Sequence, residues 1–124
     1  MPGELLHIAA GCSMYLIGRY FYKDYFGGKE KSKERFFLAS TCLFFSIIPD
    51  FVLIFYYTTY YFSFDSMWPI HSLIHFLFFI FAFFALVILI FRPTKYKPIW
   101  IMGMLAVLLH IAMDIAIPDN TIWI

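Results

Sequence analysis

Charge is scarce in this chain: Asp, Glu, Lys and Arg make up 14% of its 124 residues, against about a quarter in ordinary soluble domains. Hydrophobic residues make up 63%, well above the usual 45–50% or so. A domain this small has too much surface per volume to hide that much apolar material from water. The excess must face lipid or a large partner, lipid being the simpler reading, which excludes a soluble single-domain enzyme and a disordered chain. The net charge of +1 provides no field for nucleic acid, and two cysteines are too few to staple a secreted scaffold. Also absent is a basic start that would make the N-terminus a signal peptide: Glu4 stands where positive charge is needed. Ile8-Ala9-Ala10-Gly11-Cys12 has the outline of a lipoprotein cleavage box, but cleavage there would discard His7. Neither repeats nor low-complexity linkers interrupt the single domain.

What is present is four apolar stretches: Leu5 to Tyr22, Phe36 to Phe62, Pro69 to Phe91, and Pro98 to about Ile117. A spanning helix needs roughly 20 largely apolar residues, so the third and fourth qualify outright. The second is long enough, but Pro49 kinks or ends it, and a helix Phe36–Ile48 with a turn at Pro49-Asp50 is the alternative. The first, broken by His7 and Arg19, reads as a tilted or shallow helix. The expected fold is therefore an all-α membrane bundle of about four transmembrane helices. All nine Lys and Arg fall in residues 19–35 and 92–97. The positive-inside rule puts those segments in the cytoplasm, with both termini and residues 63–68 outside. Trp68 and Trp123 then belong to an outer aromatic belt, and Tyr20, Tyr22 and Trp100 to an inner one. Cys12 and Cys42, inside helices, read as small apolar fillers, with zinc ligation a lesser option.

Ionisable groups within apolar spans are costly and mark sites. Here they are His7, Asp50, His71, His75, His110 and Asp114, and they include every histidine in the chain. At about 1.5 Å per helical residue from the basic end, His7 and His110 lie about 18 Å up, Asp50 about 21 Å, His75 and Asp114 about 24 Å, and His71 about 30 Å. One polar cluster in the outer half of the bilayer explains this common level economically. His110 and Asp114, and likewise His71 and His75, are four residues apart and share a helix face. Imidazole with carboxylate suits zinc and related first-row metals. Each residue also has a plainer reading: an interfacial histidine for His7, a helix end for Asp50, an interhelical hydrogen bond for His75, a neutral pair for His110 and Asp114.

The ordered set His7, Pro49-Asp50, His71-Ser72 and His110-Ile-Ala-Met-Asp114 resembles the YdjM-like membrane-bound metal-dependent hydrolases of bacterial and archaeal inner membranes. That family is similar in ligand order to zinc-dependent phospholipase C and the zinc-dependent single-strand nucleases. The resemblance covers nearly the whole chain, including the tail from Pro118 to Trp123. It implies that Asp50, His71, His110 and Asp114 hold one metal, most simply Zn2+, and that His7 holds a second, bridged by Asp114. The chain departs from the family at Val52, where a second acid often stands, and at Met67-Trp68-Pro69-Ile70, where a His-Arg pair is common. The expected function is a hydrolase acting on a phosphoester or lipid-linked substrate in the membrane. Asp50 or a non-ligating His75 would serve as general base. A metal or proton transporter, or a structural protein whose polar residues glue helices together, are the alternatives.

Overall fold

The computed structural model describes residues 4–53, 58 and 63–117, with no side chain described for Glu4 or Phe64. The described residues are helical, with no strand. Helix α1 runs Glu4–Phe21 and α2 Lys23–Phe26, followed by a short turn at Lys29–Lys31. Helix α3 runs Ser32–Ile47 and tightens into a 3-10 turn at Ile48–Asp50. Helices α4, Phe64–Phe91, and α5, Lys97–Ala116, complete the bundle.

Local chemistry sets these boundaries. Gly28, at φ 91, supplies the left-handed residue that turns the chain back after α2. Arg35 then donates to the carbonyls of Phe26 at 2.8 Å and Gly28 at 2.6 Å, satisfying acceptors that the helix end leaves over. Pro49 cannot donate an amide, so α3 does not continue as a regular helix past it. This agrees with the alternative of a turn at Pro49-Asp50. Residues 51–53 resume helix and Thr58 is helical, while the rest of the path to Phe62 lies outside the described residues, as do the tail from Pro118 and the belt residue Trp123. Helix α4 begins five residues before the expected Pro69, because the Ser63 hydroxyl caps it by accepting from the Ser66 amide at 3.3 Å. Pro69, near the start of a long helix, costs only one backbone bond and does not end it. Pro98 sits at the start of α5, where its missing amide costs nothing.

Among the described residues, three helices are long and apolar enough to cross a membrane: Lys29–Leu53, Asp65–Phe91 and Lys97–Ala116. Three of the expected four or so spans are thus matched by length and apolarity. Helix α1, carrying Glu4 and Arg19, instead packs as a fourth member against α3 and α5. Helix α5 is the centre of the bundle, touching α1, α3 and α4. Lipid tails are as apolar as leucine, so association here depends on close fit more than on burial. Gly11 and Gly103 provide it. A Cβ on Gly103 would stand 2.8 Å from Thr41 Cγ2, and one on Gly11 2.6 Å from Ser46 Oγ and 3.1 Å from the Cys42 carbonyl.

The two basic segments meet at one end of the bundle, where the Tyr25 hydroxyl donates to the Lys95 carbonyl at 2.9 Å. Just inside that end lies an apolar cluster of Phe26, Leu38, Cys42, Ile99 and Met102. Cys42 is thus a core filler, while Cys12 is exposed on α1. A second cluster, Ala82 with Met104, Val107 and Ile111, forms the α4–α5 seam.

Candidate metal centre

The end of the bundle away from the basic segments is where all six sequence-selected side chains converge. His7 comes from α1, Asp50 from the turn after α3, His71 and His75 from α4, and His110 and Asp114 from α5. One turn of helix separates the members of each pair, so both point the same way. The break at Pro49 turns Asp50 toward the bundle axis. His7 and His110 are 1% and 0% exposed, and their rings stack at 3.9 Å. Asp114, His75 and Asp50 have side chains 10%, 12% and 14% exposed, so the cluster opens on their side.

The six fall into two overlapping groups whose ligand atoms all lie within 4.8 Å of one another. One is His7, Asp50, His110 and Asp114; the other is Asp50, His71, His75 and Asp114. Both carboxylates are common to both groups. This grouping differs from the one the resemblance implies. His71 is grouped with its helix neighbour His75 and His110 with His7, while the Nε2 atoms of His75 and His110, 3.1 Å apart, join the two groups. The physical reason is that His71 and His75 share the inner face of α4, across the carboxylates from α1. His75 is therefore a member of the second ligand group. Val52 is buried and offers no ligand atom, and neither cysteine belongs to either group.

Backbone carbonyls reveal which ring nitrogens carry protons. A carbonyl only accepts, so His110 Nδ1, 2.6 Å from the Ser46 carbonyl, must donate. The same holds for His75 Nδ1, 3.0 Å from the His71 carbonyl. Each neutral ring then presents a lone pair at Nε2. These two lone pairs face each other at 3.1 Å, and Asp114 Oδ2 at 3.2 and 2.7 Å. Acceptor facing acceptor is repulsive unless something positive, a second ring proton or a metal ion, lies between them.

The remaining spacings favour an ion. His7 Nε2 is 3.4 Å from Asp50 and 3.3 Å from Asp114, and Asp50 Oδ1 is 3.4 Å from both His75 and His110 and 3.6 Å from His71. These are long for charge-assisted hydrogen bonds. Ligands about 2.0–2.1 Å from a shared tetrahedral ion would stand roughly 3.3–3.4 Å apart. Both ring nitrogens of His7, Asp50 Oδ1 and Asp114 Oδ1 are buried without a hydrogen bond. Leaving such groups unsatisfied costs about 1–3 kcal/mol each, a cost that a divalent cation would remove. The donor set therefore fits a first-row divalent metal.

Two residues that sequence reasoning missed support this arrangement without touching its centre. Ser46 offers the carbonyl that orients His110, and Gly11 allows α1 to approach Ser46 closely enough to seat His7 beside it. The only sequence signal for Ser46 was its place three residues before Pro49. No family model, curated protein or solved structure matches this chain.

Proposed function

We propose that this protein is a membrane-embedded metal-dependent hydrolase, of the kind the YdjM-like family represents, acting on a phosphoester or lipid-linked substrate. The reading rests above all on two ligand groups sharing Asp50 and Asp114. In this reading the protein lies in a bacterial or archaeal inner membrane with both ends outside and the cluster toward the outer leaflet. The complete segregation of Lys and Arg favours that orientation.

His7, Asp50, His110 and Asp114 would hold the first ion, with zinc the favoured identity from its imidazole and carboxylate donors. Bound there, a metal supplies Lewis acidity to a phosphoryl or carbonyl oxygen and brings the pKa of a bound water close to neutral. The protein's own groups then have defined tasks. Ser46 keeps the proton of His110 on Nδ1, which holds Nε2 ready as a donor to the ion. The His71 carbonyl does the same for His75. His75, the most exposed of the four histidines, takes a proton at Nε2 and passes it outward. Asp50 is the alternative base.

A transporter would need polar groups continuing toward the basic end. Phe26, Leu38, Cys42, Ile99 and Met102 fill the bundle there instead, which speaks for chemistry at one end. The test is elemental analysis of detergent-purified protein and its Asp114→Ala variant, followed by a phosphoester hydrolysis assay. Zinc, manganese or iron bound to wild type and lost with Asp114, together with metal-dependent turnover, is the expected result. Wild type that takes up no metal after supplementation ends the proposal.

A further inference from the structure

We infer that the basic end of the bundle carries a seat for the headgroup of an anionic phospholipid, in the cleft between the start of α3 and the start of α5. This rests on the chain spanning a membrane and is independent of the metal centre at the other end.

The cleft has a volume of about 360 Å³ and is lined by Lys33, Glu34, Phe37 and Tyr96. Its charge is biased. Glu34 is engaged by Lys31 at 3.7 Å, and Lys31 also lies over the Tyr25 ring at 5.7 Å. Lys33 pairs with no carboxylate among the described residues, and nor does Lys95, whose ammonium sits 5.3 Å from the Tyr96 ring. The wall therefore offers the Lys33 ammonium beside a carboxylate that Lys31 neutralises, with a second ammonium, that of Lys95, next to the lining residue Tyr96.

Below the charged rim the lining turns aromatic. Phe37 meets Tyr96 edge-on at 5.7 Å and Trp100 at 5.8 Å. Phe37 and Trp100 are both partly exposed. These residues open two of the candidate spans, Lys29–Leu53 and Lys97–Ala116, so the rim falls at the water side of the interface and the rings at the lipid side. A phospholipid is layered in the same order, phosphate outermost and glycerol and acyl carbons beneath. Free phosphate would use the rim and leave the rings without purpose. An acidic peptide would have no reason to reach a floor that faces lipid.

The seat is also held in place. The Tyr25–Lys95 bond ties the two basic segments together, and the two Arg35 bonds hold the turn before α3, so the rim around Lys33 is fixed to the bundle. A lysine near a membrane surface strengthens binding to anionic lipid by about fivefold.

Trp100 provides the probe. In a Trp68→Phe, Trp123→Phe background it is the single tryptophan. The protein is reconstituted in phosphatidylcholine vesicles containing brominated phosphatidylglycerol or, at equal mole fraction, brominated phosphatidylcholine. The expected result is stronger quenching of Trp100 by the anionic lipid. Lys33→Ala should reduce that preference by about fivefold, Lys33→Arg should keep it, and Lys29→Ala, which removes the same charge outside the cleft, should leave it. Equal quenching by the two lipids in the unsubstituted chain overturns the proposal without reference to any variant. So does an equal loss from Lys29→Ala, which would mean a diffuse surface potential. Release of the quenching by excess inorganic phosphate would assign the cleft to a free anion instead. None of these outcomes depends on bound metal or turnover.

Discussion

Helices α4 and α5 each offer the centre two ligand residues one turn apart, yet they hold opposite places in the bundle. Only 6% of the most apolar stretch of α4 is buried, against 39% for α5. Helix α5 touches α1, α3 and α4, whereas α4 packs on α5 and on the turn around Asp50. Its phenylalanines at 76, 79, 81, 83 and 84 are exposed. The ligands of α5 are thus fixed by three neighbours and by the Ser46 carbonyl. Those of α4 are fixed by one apolar seam and by the carboxylates themselves. A site assembled this way has one rigid wall and one wall that depends on what the site contains.

The sharpest way to break this comparison is to remove what both walls share. Asp114→Ala takes a ligand from both groups and should abolish metal binding altogether, measured as metal per protein. If the substituted protein kept full occupancy, the two-group description would be wrong. Removing one wall should do less. His71→Ala leaves His7, Asp50, His110 and Asp114 intact and should lose only part of the metal, as should His7→Ala from the other side. Metal removal by chelation should then loosen α4 more than α5, seen as faster hydrogen exchange in residues 64–75 than in 105–116.

Packing changes come next in size. Gly103→Ala drives a methyl against Thr41 and Phe45, and Ala82→Leu overfills the fully buried α4–α5 seam. Each should cost about 1–3 kcal/mol in detergent unfolding. At the next position, Phe83→Leu should change stability by no more than about 0.5 kcal/mol, because that side chain is 51% exposed. A large loss there would mean that α4 has a protein neighbour on its outer face.

The sequence made the helical pairs legible, since four-residue spacing fixes which side chains share a face. It also placed His7, Asp50, His75, His110 and Asp114 at one depth, because rise per residue is the same in every helix. How the helices are rotated about their axes was not legible, and that rotation decides that His110 of α5 groups with His7 of α1. Periodicity reports a residue's height and its direction within one helix, never the angle between two. Ser46 escaped notice for a related reason: it acts through its carbonyl, which every residue has. The start of α4 was misjudged because Pro69 reads as a boundary, whereas the cap at Ser63 sets it.

The contact of His7 with Asp114, at 3.3 Å, joins points near opposite ends of the chain. Any bond between them closes a loop of almost the whole protein, and crosslinks that close long loops restrict the unfolded chain most. The cluster therefore acts as a buckle as well as a site. During biosynthesis it cannot fasten until α5 has reached α1, α4 and the turn after α3, so the six side chains come together only once these elements have been assembled correctly.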